Sequence, residues 1–303
     1  MRATTSGLAQ SVHTRLLAHA RHAGLDPNLV LMRYTAERFL YRLSRSSHVE
    51  RFVLKGALLL LVWLGEQIRP TRDADLLGFG DLSDEAVASA FRDICAQPVQ
   101  ADGIVFITGS VHVSQIRDED PYGGKRVRVE GRLGSGRLRL QVDVGIGDAV
   151  MPSPEWLDYP SLLDLPRPRL RAYRPETSIA EKLHAMVTLG SKNSRMRDFF
   201  DIDALARSRG FEASTLAQAI AATFTRRRTP LPEALPLALT QEFASLDKEV
   251  QWRAFQRKAG LAAGSESLAG VVARVAVFLA PVLEAARRGA EPGSIWPAGG
   301  PWR

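Results

Sequence analysis

The sequence predicts an α+β fold, a strand-rich half built on a mixed or antiparallel sheet and followed by a helical C-terminal half. Three observations carry this reading. Residues 103–116, 125–133 and 138–146 alternate apolar and polar side chains and are separated by Gly123-Gly124 and Gly134-Ser135-Gly136, the pattern of an antiparallel meander. Beyond residue 178 the apolar residues recur at helical spacing over 178–189, 196–207, 213–224 and 268–288, with a less regular stretch through Trp252 and Phe255. Between the halves stand Pro152, Pro154, Pro160, Pro166, Pro168 and Pro175, which read as an extended connector with neither a regular helix nor a central strand. The expected domains are therefore 1–170 and 171–303.

The remaining elements follow from local cues. Asp26-Pro27 supplies a cap and a first-turn proline for a helix whose apolar stripe holds Leu29, Met32, Phe39, Leu40 and Leu43. Phe52-Val53-Leu54 reads as a short strand, Lys55-Gly56 as a turn, and 57–64 as an apolar helix. Residues 73–79 form the next strand candidate. Ser83 caps a helix with Asp84 and Glu85 in its first turn, expected to run to about Gln97. The Gly- and Pro-rich C-terminal residues read as frayed.

The 303 residues are 45% hydrophobic and 24% charged, enough for one or two globular domains. Lys and Arg total 40 against 33 Asp and Glu, a net charge of +7 that favours an anionic partner such as nucleic acid. Cys95 is the only cysteine, which excludes a disulfide framework and a multi-thiolate zinc site and leads to the expectation of a reducing, cytoplasmic setting. The unbroken apolar run 57–64 is too short to span a bilayer, and 268–286 is interrupted by Arg274, Pro281 and Glu284. A soluble protein without membrane contact is expected.

The chemistry-bearing residues start with Asp73 and Asp75. At i and i+2 of a strand they project from one face, where two carboxylates repel unless a cation lies between them. Hard Mg²⁺ suits such a pair, although the same D-x-D also marks a solvated strand end. In 137–148 the apolar side is Leu138, Leu140, Val142, Val144 and Ile146, and Asp143 lies on the opposite face among Gln141, Gly145 and Gly147. Two carboxylates from one strand and one from another are what two-ion nucleotidyl transfer requires, and an amphipathic strand with one exposed Asp gives the same pattern. Lys55-Gly56 offers backbone N–H groups to phosphate, as any strand-to-helix turn does.

In the helical half, Lys182 borders the stripe Ile179, Leu183, Met186, Val187, placed either to reach a phosphate or to snorkel into water. Lys192, Arg195 and Arg197 precede or open a helix that carries Asp198 and Asp201 at i, i+3, and Arg226-Arg227-Arg228 forms a second basic cluster. Both clusters are candidate RNA contacts, and both equally suit a solvated or ion-paired surface. His184 reads as a packing or hydrogen-bonding residue, because the six histidines show no metal-ligand spacing.

Taken in order, Lys55-Gly56, Arg69-Pro-Thr-Arg72-Asp73-Ala-Asp75-Leu76, Val142-Asp143-Val-Gly-Ile-Gly-Asp148, Ala180-Glu181-Lys182-Leu-His-Ala-Met-Val and Asn193-Ser-Arg-Met-Arg-Asp198-Phe-Phe-Asp201 resemble the AbiEii toxins of type IV toxin–antitoxin and abortive-infection systems, which include the MenT nucleotidyltransferases. The resemblance implies a polymerase-beta-like nucleotidyltransferase core whose cleft is completed by the helical half. It also implies an NTP co-substrate with a two-ion Mg²⁺ site, an acceptor such as the 3′ end of tRNA with a block on translation, and a separately encoded antitoxin. By position, Asp73, Asp75 and Asp143 correspond to metal-binding carboxylates, Lys182 to a triphosphate contact, Asp198 to an essential acid, and Lys55, Gly56 and Arg72 to the nucleotide side. One departure is Ala57, where the family usually carries Gly or Ser. Two other readings use the same residues: an NTP-dependent transferase acting on protein hydroxyls, and a non-catalytic nucleic-acid-binding module.

Overall fold

A computed structural model describes residues 2–65, 69, 71, 73–116, 123–261 and 266–303. Two compact units emerge, one comprising Met1–Val62, Pro70–Gly147 and Glu155–Ala172, the other Trp63–Arg69, Asp148–Pro154 and Tyr173–Arg303.

In chain order the first unit carries α1 (Arg2–Ala23), α2 (Pro27–Arg45), β1 (Phe52–Lys55), most of α3 (Leu58–Leu64), β2 (Ala74–Gly78), α4 (Asp84–Ala96), β3 (Ile104–Ile116), β4 (Gly124–Leu133), β5 (Gly136–Ile146), β6 (Glu155–Asp158) and β7 (Arg169–Ala172). The N-terminal region reads as helical from sequence, but only the helix after Asp26 is delimited there; α1 adds a second, with the buried stripe Ala9, Val12, Leu16, Ala20. At α2 the expected cap is present: Asp26 accepts the Asn28 backbone N–H at 2.8 Å. Ser83 likewise caps α4 through the Ala86 N–H.

The strands form one mixed sheet in the order β3-β4-β5-β2-β1-β7-β6. The expected antiparallel meander β3-β4-β5 is present, and β5 then runs parallel to β2. One correction concerns the proline-rich connector. It contains the hairpin β6-β7, and β7 joins the sheet interior parallel to β1. The prolines permit this because Pro152 and Pro154 precede β6, Pro160, Pro166 and Pro168 lie between the two strands, and Pro175 opens a helix. None of them removes a ladder N–H.

One face of the sheet is apolar, with Leu54, Leu76, Val127, Val129, Leu140, Val142 and Val144 buried. Helices α2 and α4 cover it through Phe39 and Phe91, whose rings stack 5.2 Å apart, and through edge contacts to Phe106 and Phe52. Burying one phenylalanine contributes on the order of 2 kcal/mol, so this cluster fixes which sheet face remains polar.

The second unit contains α5 (Pro175–Leu189), α6 (Met196–Ser208), β8 (Phe211–Glu212), α7 (Ala213–Arg226), α8 (Leu246–Lys258), α9 (Leu268–Arg288) and β9 (Ile295–Trp296). Helix α9 is long and apolar enough to cross a membrane by length and composition. Here it is a core helix: Val271, Val272, Val275, Phe278, Leu279 and Val282 are buried, and Arg274 pairs with Asp203 at 2.7 Å. The C-terminal residues correct a second expectation. They are anchored, not frayed, since β9 pairs with β8, Trp296 donates to the Ala206 carbonyl at 2.7 Å, and Trp302 stacks on Phe278. Aromatic burial outweighs the flexibility of the neighbouring glycines.

Candidate active site

Strand register assembles the polar face of the sheet. Lys55 stands opposite Asp75, Asp75 opposite Asp143, Asp143 opposite Arg126, and Arg126 opposite Ser114. Directly opposed residues share a face and lie one strand spacing apart, roughly 4.8 Å. Asp75 and Asp143, 68 positions apart in the chain, thus become neighbours, and Asp73, immediately ahead of β2, lines a groove with Arg128 and Gln141 of that face.

The turn after β1 shapes the space around Asp75. Gly56 has φ +74°, and a Cβ built on it would lie 2.0 Å from Asp75 Oδ2 and 2.6 Å from its Cγ. A side chain at this position is therefore excluded twice, by backbone conformation and by the carboxylate packed against the turn. Gly56, expected on the phosphate side, has here a steric role at Asp75 that its place in the sequence does not reveal. Helix α3 after it has seven residues and starts at Leu58, one residue later than the sequence suggested, and Ala57 lies in the turn. Arg72 lies outside the described residues.

Asp143 is held by Arg126, whose Nε and Nη2 donate to its two carboxylate oxygens at 2.8 and 2.7 Å. Such a bidentate pair fixes the carboxylate's orientation. Among the described residues no group of three His, Cys, Asp or Glu side chains forms a ready-made metal cage. Mg²⁺ does not need one, because it characteristically takes one or two carboxylates and completes its shell with water and substrate phosphates. The donor set fits that mode: Asp73 and Asp75 offer hard oxygens on one face, and the missing Cβ of Gly56 leaves the Asp75 carboxylate its place.

The second unit holds a buried charge network. Arg69 donates from Nε and Nη2 to the two oxygens of Asp201, both at 2.7 Å. Lys182 donates to Asp201 at 2.8 Å and to Asp198 at 3.2 Å. Arg195 Nε lies 2.7 Å from the other Asp198 oxygen. Both carboxylates are fully buried and the Lys182 side chain is 12% exposed. Burial works against the Lys182 ammonium, but Asp201 and Asp198 outweigh it and hold its pKa above the ordinary lysine value. Burial would also raise Asp201, yet Lys182 and Arg69 hold it below the usual carboxylate range.

The sign of the resulting pH dependence follows. A carboxylate whose folded pKa is depressed stabilises the fold above its unfolded value, near 4, and loses that contribution as pH falls through the folded value. Lys182, raised in the folded state, contributes fully below about pH 10.4 and loses its part at higher pH. Urea unfolding between pH 7 and pH 3 is expected to show stability falling at the acid end, with a flatter profile in Asp201→Asn. An unchanged acid slope in that variant would contradict this account.

The basic clusters named from sequence are divided by the structure. Arg227 is an internal residue, 3.1 Å from Asp148, 3.7 Å from Glu181 and 3.3 Å from His184 Nδ1. His184 also meets Thr229 Oγ1 at 2.8 Å and packs edge-on to Phe224, the packing and hydrogen-bonding residue expected. Lys192, Arg197, Arg226 and Arg228 are exposed, as is Arg195, which nonetheless pairs with Asp198. Burial pushes the Cys95 thiol up to about 12, which leaves it unsuited as a nucleophile. The residues that sequence reasoning underused are Arg69 and Asp201. Both lie in the quoted motifs, but the 132 positions between them hide their pairing.

The profile of the family described as nucleotidyl transferase AbiEii toxin, type IV toxin–antitoxin system, matches residues 38–274. Among solved structures the chain is similar to MenT4, a nucleotidyltransferase toxin of Mycobacterium tuberculosis H37Rv, with TM-score 0.52 and 21% identity over 90% of this chain and 99% of that one. It is also similar to a protein from H. pylori described as a nucleotidyltransferase, with TM-score 0.50 and 16% identity over 88% of this chain and 100% of the other. No curated protein matches the sequence. At these identities the structural likenesses establish the mixed α and β fold, while the family match spans well over half of the 303 residues. The chain belongs to the AbiEii family and is a nucleotidyltransferase toxin of the type IV toxin–antitoxin class.

Proposed function

We propose that this toxin transfers a nucleotide from an NTP to the 3′ end of an RNA acceptor, tRNA foremost, and thereby blocks translation in the cytoplasm until a separately encoded antitoxin relieves it. The observation that carries the proposal is the convergence of Asp73, Asp75 and Asp143 on one sheet face, with Gly56 leaving room for Asp75. In the reaction the acceptor hydroxyl oxygen bonds to the α-phosphorus and the bond from that phosphorus to the β-phosphate bridging oxygen breaks. Its electrons leave on pyrophosphate, and the hydroxyl proton passes to water.

Asp73 and Asp75 are assigned to hold Mg²⁺, with Asp143 as the third carboxylate of the set, oriented by Arg126. When bound, the metal supplies Lewis-acid activation of the hydroxyl and neutralises charge on the phosphates. Lys55 and Gly56 form the turn on the nucleotide side. Lys182 is assigned to the triphosphate, kept protonated by Asp198 and Asp201, so its charge is present at any pH where the protein works.

The test is incubation of the purified protein with each labelled NTP, Mg²⁺ and a total tRNA pool. Label on RNA is expected, and Asp73→Ala or Asp75→Ala is expected to reduce it at least ~10³-fold, the scale of removing a group on which the transition-state charge depends. Lys182→Ala is expected to raise the half-saturating NTP concentration about tenfold or more. Label on protein alone would replace the RNA acceptor by a protein hydroxyl, and RNA binding with no transfer from any NTP would leave only a nucleic-acid-binding role.

A further inference from the structure

Past the carboxylates, the same sheet face continues as a stripe of arginines. Alternation sets Arg126, Arg128, Glu130 and Arg132 of β4 on the side of Asp143, and the register places Arg128 opposite Gln141, Glu130 opposite Arg139 and Arg132 opposite Arg137. Arg126 belongs to Asp143. Arg128, Arg132, Arg137 and Arg139 are exposed, and among the described residues none of the four is ion-paired. Glu130 is the one carboxylate facing them across the β4-β5 ladder.

Part of the stripe shares a depression with Asp73. A groove of about 510 Å³ is lined by Asp73, Arg128, Arg139 and Gln141 of this face, by the carboxylate-bearing Glu130, and by Met32 of α2. That volume suits one nucleotide-sized group. From Asp143 to Arg137 is six residues of strand, roughly 20 Å, which is longer than one nucleotide. Unneutralised guanidinium groups repeating along a face bind successive phosphates, because each offers planar paired donors and each contact releases a counterion.

We propose that this arginine face is the track of a single-stranded polynucleotide whose 3′ end lies in the groove beside Asp73. The inference rests on the transfer reading above and adds the path of the acceptor. It moves the main RNA contact away from the two clusters that the sequence alone suggested, of which Arg227 is internal.

The experiment measures binding of a fluorescein-labelled single-stranded 12-mer RNA of mixed sequence by anisotropy over a range of KCl concentrations. The triple variant Arg132→Gln, Arg137→Gln, Arg139→Gln changes only exposed side chains, and its melting temperature should match the parent's. It is expected to bind at least ~10-fold more weakly, with the slope of log affinity against log salt reduced by about 2, near 0.7 per lost phosphate contact. Arg226→Gln with Arg228→Gln is expected to leave affinity and slope as they were. Equal affinity and slope in the triple variant, no RNA binding by the parent protein, or loss confined to the Arg226 and Arg228 variant would each overturn the proposal. If the parent binds RNA through these arginines yet labels none of it, the track stands and the transfer reading falls. If labelling persists with binding independent of them, the reverse holds.

Discussion

Replacing Gly56 with alanine is expected to abolish nucleotidyl transfer while the protein still folds. Two effects add at this position. The backbone has φ +74°, a conformation that costs a residue with a Cβ about 1–2 kcal/mol. The new methyl carbon would also stand 2.0 Å from Asp75 Oδ2 and 2.7 Å from Asp75 Cβ, so the carboxylate must move, by more than an ångström. A displacement of that size at a catalytic group costs about 10²-fold in rate, and because Asp75 anchors the proposed metal site a loss of 10²-fold or more is expected. The two effects can be separated. Gly80 has φ +77° with nothing within 4 Å of its would-be Cβ, so Gly80→Ala carries the backbone strain without the collision. Label transfer and thermal melting should show both variants modestly destabilised and only Gly56→Ala inactive. Equal activity in the two would show that Asp75 does not depend on the turn beneath it.

How much of this site was legible in the sequence depended on whether the physics was local. Period-2 alternation put Asp143 opposite the apolar face of β5, and the spacing of Asp73 and Asp75 put them together, because strand geometry is set residue by residue. Strand partnership is different. That β5 pairs with β2 in parallel, with Asp75 facing Asp143, depends on the sheet order β4-β5-β2-β1, and no short-range pattern encodes it. The hairpin β6-β7 was hidden for a related reason: prolines next to a strand and prolines within one give similar composition, and only the former are compatible with a ladder. The alternation of Arg126, Arg128 and Arg132, and of Arg137 and Arg139, was visible in the sequence but carries meaning only once β4 and β5 are known to place both sets on the side of Asp143. Arg227 shows the converse error of composition, since a run of three arginines reads as a surface cluster until Asp148, Glu181 and His184 are found around its middle member.

The largest stability effect is expected at Asp201. Its two oxygens accept three charged donors, two from Arg69 and one from Lys182, and it is fully buried. Asp201→Asn keeps the shape and removes the charge. Lys182 would then keep only its longer contact to Asp198, which Arg195 already engages, and Arg69 would lose the two bonds it gives Asp201. Breaking a buried ion pair by removing one partner costs about 3–5 kcal/mol, mostly the penalty of the stranded charge. At 2–4 °C per kcal/mol for a unit of this size, the melting temperature should fall by about 6–20 °C. Two comparisons separate this from a general loss of packing. Glu284→Gln, which breaks an exposed pair with Arg287, should leave melting unchanged. Pairing Asp201→Asn with Lys182→Met removes one stranded cation along with the anion, so the double variant should be less destabilised than the sum of the two single ones. Additive losses would mean that Lys182 and Asp201 act independently. Lys182 would then not owe its raised pKa to this carboxylate, and the claim that Asp201 keeps a protonated lysine ready for the nucleotide would fail with it.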